Sequence, residues 1–286
     1  MDNAAIEKFL EERKREYQRE NPPDFTTHLN YVGCLNAISD DLIAECKLEI
    51  KNKIKESKIF NKKIKLIKLI TKSLNEESRT IRINPSFAEV CVPWIAVKSY
   101  YLLFNLFLIV EYLISGQESS LNSSHEGLLK RLKSHIEKKE IVFNKEVFNT
   151  NFRCAGIIKV KIQSGVNLKI VDVNLNERIV QVLKKLVSYK LEEFQRREKI
   201  ENFRSKRNQQ KKKEFLEKNT VNLCEFFYRY RIKANYRDLE FLDKDISDKQ
   251  FSDFYINYFK SVNNFCKAFK KLINTLTKIR LEKEVL

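Results

Sequence analysis

Apolar residues recur three or four positions apart along most of the chain, with lysine and glutamate between them, and this spacing is typical of amphipathic helices. Residues 1–20 predict a first helix, which the prolines of the following "NPPDF" segment end because proline cannot donate a helical hydrogen bond. A second helical block is predicted from Ser39, a cap-like serine followed by acids, to Leu74. Residues 79–93 interrupt the pattern and predict a linker.

The most apolar segment of the chain is Trp94–Ser115. Its uninterrupted uncharged run extends only from Ser99 to Val110, whereas a helix that spans a bilayer needs about 18–20 apolar residues. We therefore expect a central core helix with neighbours on several sides, rather than a membrane span.

The pattern changes twice in the second half of the chain. After a polar loop, a helix is predicted to begin at His125. Apolar and polar residues then alternate at 157–162 and 168–173, which predicts a β-hairpin. The helical spacing returns in three predicted helices: a very long one over Leu175–Lys218, one over 220–237, and one over 249–281 behind a Ser247 cap.

Composition supports a helical fold. Only five glycines and four prolines occur in 286 residues, too few for the many tight turns of an all-β protein. We predict a mainly α protein with one small β-hairpin and a long, basic, projecting helix. The predicted organisation is an N-terminal helical region (1–92), the first half of a helical bundle (93–150), an insertion with the hairpin and basic helix (151–218), and the second half of the bundle (219–286).

The chain is strongly basic, with a formal net charge of +17. Such a charge favours a polyanion such as nucleic acid, although an acidic protein partner or AT-biased coding also accounts for it. The basic residues concentrate in Arg196–Lys213, where nine of them stand against two acids. We interpret this segment as a phosphate-contacting arm, or else as a solvated projecting helix or hairpin. The candidate nucleic-acid-binding residues are Arg196, Arg197, Arg204, Lys206, Arg207, Lys211, Lys212 and Lys213.

Six scattered cysteines form no Cys-x-x-Cys pair, and no histidines cluster near them. This distribution predicts neither a zinc site nor a disulfide framework, and we expect reduced core cysteines in a cytoplasmic protein.

The N-terminal residues lack the apolar stretch of a signal peptide. Phosphate-binding loops and dinucleotide fingerprints are absent from the sequence, and we expect no metal and no cofactor.

Four segments follow one another along the chain: the apolar helix with Trp94 and Tyr100–Tyr101, a helix that begins at His125, "RIKANY" at 231–236, and a final amphipathic helix. Together they resemble the HEPN superfamily, in particular its small stand-alone members of toxin–antitoxin and defence type. The resemblance covers about residues 93–136 and 222–273. It implies an antiparallel helical bundle, often dimeric, with a role in RNA processing, toxin–antitoxin pairs or antiviral defence.

Active HEPN proteins carry an arginine followed four to six residues later by a histidine, and two such pairs cleave RNA across a dimer without metal. This chain departs from that pattern, because Ala234 stands where the histidine is expected and no histidine occurs in 136–286. Alanine cannot transfer a proton. The resemblance therefore leaves Arg229 and Arg231 as candidate catalytic residues, with His125 as a replacement base.

Three functions remain open from the sequence. The first is an RNA-associated HEPN-like protein with a degenerate catalytic motif, which binds nucleic acid mainly through the basic helix and also through Arg237. The second is an active metal-independent ribonuclease. The third is a structural helical subunit of a larger ribonucleoprotein or protein assembly, whose positive surface meets an acidic partner. All three assume that the apolar helix near residue 100 packs against the tyrosine-rich segment near residue 230.

For Tyr228, Tyr230 and Tyr236, packing against the apolar helix is favoured over stacking on bases.

Overall fold

The computed structural model describes residues 25–160, 175–236 and 246–286, and they are mainly helical, as predicted. The predicted helix over residues 1–20 lies outside these ranges. The helices are α1 (Phe25–Ser39), α2 (Lys58–Ile83), α3 (Phe87–Ser115), α4 (His125–Glu137), α5 (Glu146–Asn149), α6 (Cys154–Lys159), α7 (Leu175–Arg197), α8 (Lys206–Lys218), α9 (Phe226–Tyr236) and α10 (Asp248–Leu281). Short 3-10 turns cover Glu118–Asn122 and Leu223–Glu225.

Two short antiparallel sheets connect segments that are far apart in the sequence. Strand β1 (Ala44–Cys46) pairs with β2 (Ile141–Phe143), and β3 (Phe152–Arg153) pairs with β4 (Thr220–Val221). The predicted β-hairpin does not begin at Ile157, because Ile157–Lys159 form the end of α6. The rest of that prediction, residues 161–174, lies outside the described residues.

The centre of the bundle is α3, which is buried along most of its length, as the prediction of a core helix required. The long C-terminal helix α10 runs parallel to it: Phe107 contacts Phe269, and farther along the Arg280 side chain donates to the Leu113 and Ile114 carbonyls. By the order of their contacts, helix α4 also runs parallel to α3, whereas α2 is antiparallel to α3 and α9 is antiparallel to α10. The expected antiparallel packing therefore applies to only some of the helix pairs.

The predicted helical block from Ser39 to Leu74 is wrong over its first half. Ser39 is the last residue of α1, and the true cap of α2 is Ser57, whose hydroxyl accepts from the Phe60 amide at 3.0 Å. The intervening residues include β1 and a non-helical segment in which Ile50 and Ile54 pack against the core. Isoleucines four residues apart thus also occur where the chain is not helical.

The predicted linker at 79–93 is much shorter in the structure. Helix α2 continues to Ile83 and α3 begins at Phe87, so only three residues separate the two helices. Pro93 lies within α3 rather than before it. As the seventh residue of α3, Pro93 cannot donate the helical hydrogen bond to the Glu89 carbonyl, but the helix continues beyond it.

The predicted long helix from Leu175 to Lys218 is broken in the structure, which shows a helical hairpin of α7 and α8. Helix α7 ends where Lys199 adopts a left-handed conformation (φ 52°) and the Ile200 amide donates to the Gln195 carbonyl at 2.9 Å. Ser205 then caps α8 by accepting from the Asn208 amide. The stacked rings of Phe194 and Phe215, 4.3 Å between centroids, hold the two helices together.

Candidate nucleic-acid interface

Helices α3, α4 and α9 meet at a cluster of aromatic residues that contains the candidate histidine. His125 is the first residue of α4, and its position is fixed by Ser124, whose hydroxyl accepts from the Gly127 amide. The His125 Nδ1 forms a hydrogen bond with the Tyr100 hydroxyl of α3. The Phe104 ring lies 4.2 Å from the imidazole, centroid to centroid.

Helix α9 contributes Tyr228 and Arg231 to this cluster. The Tyr228 ring packs 5.5 Å from Tyr100, which confirms the predicted contact between the segments near residues 100 and 230. The Arg231 guanidinium lies over the Tyr100 ring at 4.7 Å and donates to the Tyr101 hydroxyl at 3.4 Å. Cation–π contacts of this kind hold an arginine in place without neutralising it. We call Tyr100, Tyr101, His125, Tyr228 and Arg231 the aromatic cluster.

Arg231 retains an uncompensated charge within the described part of the chain. No carboxylate there lies within salt-bridge distance of it, and its buried Nε has no acceptor. A guanidinium that no carboxylate balances favours an external anion, which binds such a group through charge-assisted hydrogen bonds. The aromatic cluster is therefore a candidate anion site.

Burial, and secondarily the charge of Arg231, lower the pKa of His125 from its ordinary value of 6.5. The imidazole is therefore neutral at pH 7. Burial also raises the pKa of Tyr100 well above its ordinary value, so this hydroxyl stays protonated. When the Tyr100 hydroxyl donates to Nδ1, the Nε2 atom carries the proton and acts as a donor. When Nδ1 donates instead, Nε2 offers a lone pair that can accept a proton.

Arg229 has a different environment from Arg231, although only one residue separates them. Its side chain is 12% exposed and forms salt bridges with Glu193 of α7 and Glu225. Glu225 also binds Lys133 and Lys190. Burial alone would raise the pKa of Glu225, but the three cations outweigh it and the pKa is lowered. Of the three candidate catalytic residues, the structure brings together His125 and Arg231, and it places Arg229 in an ion-pair cluster.

The basic segment, Arg196–Lys213, lies on the α7–α8 hairpin, and its residues differ in exposure and in the contacts that they form. Lys211 lies 3.7 Å from Glu198, and Lys212 packs over the Phe203 ring at 5.3 Å. Arg237 lies outside the described residues. The exposed candidates are Arg196, Arg197, Arg204, Lys206, Arg207 and Lys213.

Sequence reasoning singled out Tyr100–Tyr101 only as part of a family pattern, and it missed the ion-pair cluster altogether. Lys133, Lys190 and Glu225 are too far apart in the sequence to form a motif. Tyr228 packs on α3 as predicted, whereas Tyr230 packs on Phe254 and Tyr258 of α10. The side chain of Tyr236 is not among those described.

Comparison of the chain with models of protein families, with curated proteins and with solved structures finds no match. The resemblance to the HEPN superfamily therefore depends on the residues alone. Within the described ranges, no group of three His, Cys, Asp or Glu side chains could hold a metal ion. By length and composition α3 could cross a membrane, but 67% of its most apolar 18-residue stretch is buried inside the protein.

Proposed function

We propose that this chain is an RNA-associated, HEPN-like protein that contacts the RNA backbone through Arg231 and the exposed face of the α7–α8 hairpin. Its resemblance to small HEPN-domain proteins extends the proposal to a prokaryotic defence or toxin–antitoxin system, with a homodimer or a second protein as further partner. The observation that carries the proposal is Arg231, an arginine with no carboxylate partner among the described residues, held against tyrosine rings beside His125.

The chemistry of the aromatic cluster suits single-stranded RNA. A guanidinium offers paired donors to phosphate oxygens, and tyrosine rings give bases a surface for stacking. Tyr101 is 39% exposed, which leaves ring surface available at the edge of the cluster.

The α7–α8 hairpin supplies the electrostatic part of the affinity for RNA. Lys206, Arg207 and Lys213 are exposed, and none of the three forms a salt bridge with a described carboxylate. Cations that contact phosphates release counterions, so the affinity falls steeply as the salt concentration rises.

The test is fluorescence anisotropy with a labelled single-stranded RNA across a salt series. The hairpin variant is Lys206→Gln/Arg207→Gln/Lys213→Gln, and the matched control is Lys58→Gln/Lys62→Gln/Lys65→Gln, which removes three exposed lysines from α2. We expect the hairpin variant to lower the slope of log affinity against log salt by about two, at roughly 0.7 for each lost single-strand contact. An equal loss in both variants, or an affinity that does not respond to salt, would contradict the proposal.

A second candidate, a metal-independent ribonuclease, is favoured by the meeting of His125 and Arg231 at Tyr100. In that reaction Nε2 of His125 would take the proton of a 2′-hydroxyl, whose oxygen attacks the adjacent phosphorus. Arg231 would stabilise the added negative charge. The 5′-oxygen would leave with a proton from water, which gives a 2′,3′-cyclic phosphate and a 5′-hydroxyl.

This candidate predicts cleavage in the presence of EDTA that His125→Ala and Arg231→Ala both abolish, whereas Arg82→Ala, an exposed arginine on α2, leaves it intact. Because the base form of His125 is required, the rate should fall as the pH drops through its lowered pKa. Equal rates for the wild type and both site variants would exclude the ribonuclease.

A further inference from the structure

A cavity of about 300 Å³ lies between α4, α7, α8 and α9, next to the aromatic cluster. The ring of Tyr228 belongs to both, since it lines the cavity and also contacts Tyr100. This volume is at the lower end of the range for ligand pockets, about 300–1,000 Å³.

Positive charge predominates in the lining of the cavity. Five cationic side chains face three carboxylates there, which leaves a surplus of two positive charges. Three of the cations share one buried carboxylate: Lys133 binds Glu225 closely, while Lys190 and Arg229 lie 3.7 and 3.5 Å from its Oε2. Glu193 forms a salt bridge with Arg229. Arg197 lies 3.6 Å from Glu198, a carboxylate outside the lining.

Two further observations indicate that the protein's own carboxylates do not satisfy these cations. The Nε of Arg229 is buried and has no hydrogen-bond acceptor. Burial lowers the pKa of Lys190, and the charges of Lys133 and Arg229 lower it further against the opposing effect of Glu225. A bound anion would relieve the repulsion among the cations.

The net charge of the cavity lining favours a terminal phosphate over a phosphate within the strand. A terminal phosphate monoester carries a charge of about −1.5 to −2 at pH 7, whereas each phosphate within a strand carries one negative charge. The surplus of two positive charges therefore matches a strand end. The stacked rings of Phe194 and Phe215 also line the cavity and give the last base an aromatic surface.

We propose that this cavity binds the terminal phosphate of an RNA strand whose neighbouring nucleotides lie on the aromatic cluster. The inference rests on the proposed function, because it names the part of the RNA that this interface recognises. Lys130 and Arg197 contribute the exposed cations of the lining, and Lys133, Lys190 and Arg229 the partly buried ones.

The test compares labelled RNAs of one sequence that carry a 5′-phosphate, a 3′-phosphate or no terminal phosphate. We expect one phosphorylated form to bind about tenfold more tightly than the unphosphorylated form, the effect of one charge-assisted contact. Lys130→Ala/Arg197→Ala should reduce this preference to about twofold or less. The control Lys62→Ala/Lys65→Ala removes two exposed lysines from α2 and should keep the preference.

The outcomes separate this inference from the proposed function. If all three RNAs bind equally well, the terminal-phosphate site is overturned and the RNA-binding function stands. If a free mononucleotide binds but none of the RNAs does, the cavity serves a small phosphorylated molecule, and both proposals are overturned. Loss of the phosphate preference in both double variants would assign it to overall charge and would also overturn the site.

Discussion

His135 should make the stability of this protein depend on pH in a direction that the structure fixes. Its side chain is 15% exposed, its Nδ1 lies 2.5 Å from Glu140 and its Nε2 lies 2.8 Å from Glu111. Both ring nitrogens can donate to carboxylates only in the imidazolium form. The bonds to Glu111 and Glu140 therefore raise the pKa of His135 above its ordinary value of 6.5, although burial opposes them.

The magnitude follows from the two hydrogen bonds. Each charge-assisted bond contributes about 1.5–3 kcal/mol, and deprotonation of the ring directs a lone pair at one of the carboxylates. We discount the total to about 2–3 kcal/mol, because Glu140 is partly exposed and Arg131 also approaches Glu111 at 3.1 Å. A raised pKa means that this stabilisation is complete below about pH 6.5 and is lost as the pH rises through the folded-state value.

The assay is urea unfolding of the wild type and of His135→Gln at pH 5.5 and pH 8.5. The variant keeps a neutral donor but cannot titrate, so the difference between the two proteins isolates His135 from every other group. We expect the wild type to be more stable than the variant by about 2–3 kcal/mol at pH 5.5 and by much less at pH 8.5. A difference between the two proteins that stays constant with pH, or that grows as the pH rises, would refute the reasoning.

Three further substitutions test separate parts of the fold by the same urea assay. Lys199→Gly should stabilise the protein by about 0.5–1 kcal/mol, because glycine adopts the left-handed conformation without strain; a loss of stability would contradict the observed end of α7. Arg280→Met should cost about 3–5 kcal/mol, because Arg280 donates to three backbone carbonyls, and a cost below about 1 kcal/mol would exclude this role. Glu225→Gln should cost about 3–5 kcal/mol, and adding Lys190→Met should restore part of it; full additivity would argue against a coupled cluster.

The sequence predicted the parts of the fold that depend on local pattern. The apolar run around residue 100 predicted the core helix, the serine before His125 marked the start of α4, and Ser247 caps α10 with the Gln250 side chain as partner. These features use residues within one or two helical turns of each other, so the sequence alone contains the necessary information.

The missed features depend on tertiary contacts. No glycine marks the end of α7, because the left-handed position is taken by Lys199. The isoleucines between α1 and α2 follow a helical spacing, yet the chain there is not helical and includes β1. In both places packing against distant segments overrides the local preference.

The two arginines of α9 show the same limit at the candidate site. Residues two positions apart point about 200° apart around a helix, so Arg229 and Arg231 must face different surroundings. Only the fold reveals that the first meets carboxylates from α7 and the turn before α9, while the second meets tyrosines from α3. The sequence therefore predicted a basic pair but could not show that one arginine pairs with carboxylates and the other with tyrosine rings.

The measurement that tests the central proposal most directly is the RNA affinity of Arg231→Met beside that of Arg82→Met. Both changes remove one positive charge, and Arg82 is exposed on α2, a helix that contributes no residue to the aromatic cluster. We predict an affinity loss of about tenfold for Arg231→Met, with a lower salt slope by about 0.7, and a loss within about twofold for Arg82→Met. Equal losses in the two variants, or an unchanged affinity of Arg231→Met, would contradict an RNA contact at this site.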